Sequence, residues 1–190
     1  PVVIDCSWAG QKINDDHLQR LAEIARRAQT PVRFKFFPGG SILENRLIPL
    51  RKSIAAVLGE DRVQVFGAIN YAHYMTELEA AHFALDAHPF GGYNTGVDLL
   101  TLRRPIVTLE GNRFYNRSTA YLLRTVGLED LIASTPEQYI DIGVRMIDDT
   151  AFRDRMVRRL KTANLETTVL SLEHVPAFVR AIDHLLEHHD

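Results

Sequence analysis

The residue types best suited to holding an anion are concentrated in one stretch, His88-Pro89-Phe90-Gly91-Gly92-Tyr93-Asn94-Thr95-Gly96-Val97-Asp98. The apolar run before it, Phe83-Ala84-Leu85-Asp86, reads as a buried strand ending at Asp86, and Leu99-Leu100-Thr101-Leu102 after it reads as helix. A glycine-bearing loop that leads from a strand into a helix turns backbone N–H groups outward and adds the positive end of the helix dipole, which is how α/β proteins hold phosphate. Gly91, Gly92 and Gly96 are expected to supply φ > 0 and room for a ligand to approach the backbone. Asn94 and Thr95 add side-chain donors, and Asp98 places a carboxylate where a ribose diol could bond to it. An ordinary strand-to-helix turn has the same spacing, and spacing alone does not separate the two readings.

Two other groups could join this loop. Lys12 stands alone after the first strand, where a flexible ammonium can reach a diphosphate as a point charge or simply remain solvated. Asn112, Arg113, Asn116 and Arg117 follow the fifth strand and are read as entering a helix that begins at Phe114, able to grip phosphate or sugar hydroxyls or to form a plain polar helix start.

Several familiar patterns are missing. No G-x-G-x-x-G follows the first strand, no G-x-x-x-x-G-K-[ST] occurs, and no D-x-D closes a strand. Cys6, beside Trp8 and without a neighbouring histidine, reads as a core residue. His184, His188 and His189 read as a solvated tail, with zinc the less favoured alternative. The basic run Arg153 to Lys161 reads as the solvated face of an amphipathic helix.

The elements that must position these residues follow from periodicity. Strands are expected at Val2–Ile4, Val32–Phe37, Val63–Phe66, His82–Asp86, Pro105–Leu109 and Leu131–Ala133. Helices are expected after the Asn14 cap, over a stripe from Leu43 to Leu58 that Pro49 breaks or opens, over Tyr71–Ala81, up to Arg103, over Phe114–Val126, after the Thr135-Pro136 start, over Ala151–Thr162 and over Pro176–Glu187. Gly59 and Gly127 are expected to end helices. Apolar strands alternating with helices predict a doubly wound, Rossmann-like parallel sheet covered on both faces, in a single domain spanning 1–190. In such folds ligands bind at the carboxyl ends of the strands, where the loops Cys6–Ile13, Ala87–Asp98 and Glu110–Arg117 would meet.

Bulk properties narrow the classes. A net charge of −2 argues against a general nucleic-acid binder. The single cysteine rules out an intrachain disulfide and fits a reducing compartment. No apolar run nears the ~18–20 residues needed to span a bilayer, and no signal peptide is evident. The abrupt start on a strand suggests a domain cut from a longer chain.

Read in order, Gly10-Gln11-Lys12-Ile13-Asn14, the His88–Asp98 stretch, Pro105-Ile106-Val107-Thr108-Leu109, Asn116-Arg117 and Val126-Gly127-Leu128-Glu129-Asp130-Leu131-Ile132-Ala133 resemble the C-terminal, donor-binding half of the GT-B glycosyltransferases related to O-GlcNAc transferase. The chain looks most similar to the bacterial cytoplasmic N-glucosyltransferases that modify adhesins, and the resemblance runs through nearly its whole length. The resemblance implies transfer of a hexose or N-acetylhexosamine from a UDP-sugar, with inversion and without a metal or other cofactor, to an acceptor that a protein side chain could provide. It implies that Lys12 contacts the diphosphate and stabilises the leaving group. It also implies that Asn94 and Thr95 hold phosphate within a donor loop of Gly91, Gly92, Tyr93 and Gly96, that Asp98 binds ribose, and that Asn116 and Arg117 belong to the same site. Such chemistry needs a metal, or preorganised donors and a cation, to meet the charge that builds on the leaving oxygen.

The chain departs from that pattern at three places. Tyr93 stands where O-GlcNAc transferases carry a histidine. The base-binding segment Gly67 to Tyr74 matches loosely and has no lysine. Arg103-Arg104 replaces the usual glycine before the fifth strand. The resemblance places the acceptor site and any catalytic base on an N-terminal lobe absent from this chain, with the last helix packed against it. It also implies a cytoplasmic location. A catalytically inactive GT-B-like scaffold and a sugar-nucleotide epimerase lobe are the competing expectations.

Overall fold

The computed structural model describes residues 1–39 and 44–188. Its strands are β1 (Val2–Cys6), β2 (Val32–Phe36), β3 (Val63–Val65), β4 (Phe83–Leu85), β5 (Ile106–Leu109) and β6 (Ile132–Ala133). The helices are α1 (Asp15–Arg27), α2 (Glu44–Leu58), α3 (Tyr71–Glu79), α4 (Tyr93–Thr101), α5 (Ser118–Thr125), α6 (Pro136–Asp148), α7 (Thr150–Thr162) and α8 (Val175–Glu187). All strand pairings are parallel, in the order β3-β2-β1-β4-β5-β6. The order reverses between β1 and β4, which opens a crevice beyond their carboxyl ends. The central strands are buried along their length because helices cover both faces, with Ile4, Phe34, Phe36, Phe83 and Val107 fully enclosed.

Local signals set the helix ends. The Asn14 side chain accepts from His17 N at 3.0 Å, and Asp15 and Asp16 lie in the first turn of α1. Thr135 caps α6 by accepting from Gln138 N at 3.1 Å, with Pro136 opening the helix. Gly59 (φ 94°) and Gly127 (φ 68°) take the left-handed conformation that ends their helices.

Four expectations change. Pro49 neither breaks nor opens α2 but lies inside it, near its start, where losing one N–H costs a single intrahelical bond. The helix expected over Phe114–Val126 is a short 3₁₀ turn, Phe114–Asn116, followed by α5. Arg117 (φ −120°) sits outside helical geometry between them. Gly91, Gly92 and Gly96 do not have positive φ; the loop needs them for close packing, as shown below. The basic run on α7 is only partly solvated: Arg153 donates to the Met146 and Ile147 carbonyls, and Arg159 reaches Asp130 and the Gly127 carbonyl. Leu43 and His189 lie outside the described residues. Cys6 is buried in the core, as the sequence suggests. No described helix is long and apolar enough to cross a membrane.

Candidate functional site

The loop between β4 and α4 is tied down carbonyl by carbonyl. Trp8 Nε1 donates to Leu85 O at 2.7 Å. His17 Nε2 and the Tyr139 hydroxyl both bond to Asp86 O, at 2.9 and 3.1 Å. Asn14 Nδ2 donates to His88 O at 2.8 Å, and Lys12 Nζ donates to Gly91 O at 3.0 Å. Carbonyls drawn downward and sideways leave the start of α4 to present N–H groups. Gly96 N makes the first intrahelical bond, to Gly92 O, so the N–H groups of Tyr93, Asn94 and Thr95 precede the hydrogen-bonded ladder. Gly92, at the cap position, has no side chain to satisfy them.

Close packing explains the glycines. A β-carbon on Gly91 would stand 3.0 Å from Asp86 Oδ2, and one on Gly96 would stand 2.9 Å from Leu122 Cδ1. Each places the backbone against a buried neighbour, which φ > 0 would not achieve.

Burial shifts both titratable groups beneath the loop. Burial lowers the His17 pKa to about 3, with the Arg20 charge adding to the effect. His17 is therefore neutral near pH 7. Its Nε2 carries the proton given to Asp86 O, and Nδ1 accepts from Arg20 at 3.1 Å. Burial raises the Asp86 carboxyl, against hydrogen bonds from Thr119, Thr108 and Gly92 N and the charge of Lys12.

Three hollows surround the α4 N-terminus. One of about 350 Å³ is walled by Phe37, Gly67, Ile69, Tyr71, Tyr74 and Thr95 and floored by Ser7 and Ala9. The Ser7 hydroxyl is buried there and has no hydrogen-bond partner among the described residues. A second, about 470 Å³, contains Tyr71, Tyr93, Asn94, Val97 and Asp98. Tyr71 separates the two, and its hydroxyl donates to Asp98 Oδ1 at 2.7 Å. The third, about 700 Å³, holds Lys12, Asn14, Pro89 and Phe90 on the other side of the loop.

Tyr93, Asn94 and Asp98 thus line one hollow and Thr95 its neighbour, while Lys12 lies in the hollow on the other side of the loop and touches it at Gly91 O. Asn116 and Arg117 are used differently. Asn116 is buried over Gly111, where a β-carbon would overlap it at 2.1 Å, and its Oδ1 accepts from Arg113 N. Arg117 pairs with Glu110 at 3.2 Å, beside the Arg124–Glu110 pair. They shape the β5 exit, where Tyr93, Phe114 and Tyr121 line a further hollow of about 570 Å³. Sequence reasoning gave no role to Asp86, His17, Thr108 or Tyr139. The one available signal was a carboxylate at the carboxyl end of a buried strand. Among the described residues no three metal-ligating side chains cluster, and His184 and His188 are exposed on α8.

Comparison with known proteins agrees with this geometry. The family model described as Glycosyl transferase family 41 matches residues 51–177. A UDP-glucose:protein N-beta-glucosyltransferase of Actinobacillus pleuropneumoniae is 28% identical over 154 residues, which is 78% of this chain and 24% of that protein. A SPINDLY peptide N-acetylglucosaminyltransferase of Solanum lycopersicum is 30% identical over 81 residues, 43% of this chain and 9% of that protein. The solved structure of a Thermobaculum terrenum O-GlcNAc transferase mutant superposes with a TM-score of 0.74 at 25% identity, covering 84% of this chain and 31% of that one. The chain therefore spans less than a third of the length of each of these relatives. The family match covers more than half of the chain and includes β3 to β6 and the loop between β4 and α4, so the chain belongs to glycosyl transferase family 41.

Proposed function

We propose that this chain is the donor-binding lobe of a GT-B glycosyltransferase that takes a UDP-sugar and transfers the sugar, with inversion and without a metal, to an acceptor held on another lobe. The observation that carries this reading is the Lys12 ammonium bonded to Gly91 O, one residue before the Gly92 cap that leaves the α4 N-terminus without a side-chain partner. The diphosphate would sit on the N–H groups of Tyr93, Asn94 and Thr95, with Lys12 beside it. The ribose would meet Asp98, displacing or sharing the Tyr71 hydroxyl. The base would enter the hollow of Phe37, Ile69 and Tyr74, which the Ser7 hydroxyl also lines. As the sugar–oxygen bond breaks, negative charge grows on the β-phosphate, and the fixed N–H groups and the ammonium stabilise it without reorganising.

The acceptor is proposed to be a protein side chain; the names of the Actinobacillus and tomato relatives give a protein and a peptide as acceptor. The exposed apolar face of α8, with Phe178, Ile182, Leu185 and Leu186, suits packing against the acceptor lobe. Nucleotide binding tests the reading. UDP at about a hundred times its Kd should raise the melting temperature of this chain by roughly 5–10 °C, and ADP and GDP should do less. A shift with another nucleotide and none with millimolar UDP would overturn the donor assignment. A product assay on the intact protein separates transfer from epimerisation, since only an epimerase converts a UDP-sugar without an acceptor.

A further inference from the structure

The Asp86 carboxylate lies directly under the loop and plays no part in the donor chemistry above. Only 4% of the residue is exposed. Its Oδ1 accepts from Ala87 N at 2.9 Å and from Gly92 N at 3.0 Å, and its Oδ2 accepts from the Thr108 hydroxyl at 2.9 Å. Its own carbonyl is held by His17 and Tyr139. A single residue therefore fixes both ends of the loop, the exit from β4 through its carbonyl and the start of α4 through its carboxylate. Gly92 N–H is the first orphan donor of the helix. With that donor tied down, the next three are left facing the crevice.

A buried carboxylate so close to an anion site works against the anion by charge. What Asp86 supplies must therefore be geometry. Gly91 packs against it so closely that a β-carbon there would meet Oδ2 at 3.0 Å.

We propose that Asp86 is a positioning residue for the diphosphate: by holding Gly92 N–H from below it aims the N–H groups of Tyr93, Asn94 and Thr95 at the phosphates while touching no ligand. The inference rests on reading this loop as the diphosphate site. The measurement is the ratio of the Kd for uridine to the Kd for UDP, which isolates what the phosphates add, together with the melting temperature.

Asp86→Ala should reduce that ratio by about tenfold or more while leaving the uridine Kd unchanged. Asp86→Asn keeps an acceptor for Gly92 and Ala87 and can donate to Thr108, so it should retain the wild-type ratio or exceed it, because the opposing charge is gone. If Asp86→Ala does not fold, Asp86→Ser replaces it; its shorter hydroxyl serves Ala87 but not Gly92, and the ratio should fall as for alanine. An unchanged ratio in a folded Ala or Ser variant overturns the proposal, and so does an Asn variant that loses as much as Ala. A wild-type chain that binds uridine and UDP equally overturns the diphosphate reading itself, and the proposal with it.

Discussion

Replacing Lys12 with methionine removes the ammonium and keeps a side chain of similar reach. Lys12 is half-buried, ends the 3₁₀ turn Gly10–Lys12, and has its Nζ 3.0 Å from Gly91 O. A phosphate on the α4 N-terminus beside Gly91 would come within about 4 Å of that nitrogen, where unit charges attract by about 1 kcal/mol in water and about 4 kcal/mol at an effective dielectric of 20. The wild type gives up part of its Lys12–Gly91 bond to make this contact, which offsets about 1 kcal/mol. At the effective dielectric of 20 that suits a partly buried pair, the net loss on Lys12→Met is about 3 kcal/mol, or roughly 150-fold weaker UDP binding. Isothermal titration with UDP and with uridine, at low and high salt, measures it. Uridine binding should not change, and the deficit should shrink as salt screens the phosphate–ammonium attraction. In the intact enzyme turnover should fall further than affinity, since the charge Lys12 faces is largest in the transition state. A UDP affinity within twofold of wild type would refute the reasoning, and equal weakening of uridine would assign Lys12 to the nucleoside or the fold instead.

Two further outcomes test the packing and the buried charges. Gly96→Val should cost about 1–3 kcal/mol in thermal or denaturant unfolding through overpacking, because its β-carbon alone would lie 2.9 Å from Leu122 Cδ1; Gly96→Ala, meeting only that flexible methyl, should cost less. Stability should fall between pH 6.5 and 8. Burial, partly opposed by Lys35 at 3.6 Å, raises the Asp5 pKa to about 8 from 3.8, so the folded state keeps a proton that the unfolded chain releases. Glu77 and Arg104 also face Asp5, the one raising and the other lowering its pKa. The slope is at most about 1.4 kcal/mol per pH unit, giving a loss on the order of 2 kcal/mol across the window. His17, lowered to about 3 from 6.5, acts with the opposite sign and only below pH 6.5. Asp5→Asn should flatten the profile, and a wild type already flat from pH 6.5 to 8 would refute the assignment.

How far the site could be read from sequence depended on how local each group's partners are. The strands were legible because each is apolar throughout, and the helix ends because Asn14, Thr135, Gly59 and Gly127 act within a turn of themselves. The candidate loop was legible because Gly91 to Asp98 are consecutive. Its glycines do not take the positive φ expected of them, since sequence does not distinguish a glycine needed for φ > 0 from one packed against Asp86 or Leu122. Asn116 reads as an available amide until its turn closes and Gly111 lets it inward. Asp86 was seen only as the last residue of a strand: Gly92 is six positions on, but Thr108 is twenty-two away. His17 sits one position before the apolar stripe of α1 and bonds to a carbonyl 69 residues along the chain. The groups that would touch the diphosphate thus lie within two short stretches, while those that hold the loop come from the segment after β1, from α1, from the end of β4, from β5 and from α6. A motif finds the first kind and passes over the second. A chain that kept Lys12 and Gly91 to Asp98 but lost Asp86, His17 and Tyr139 would keep the motif and lose the pinned loop that presents it.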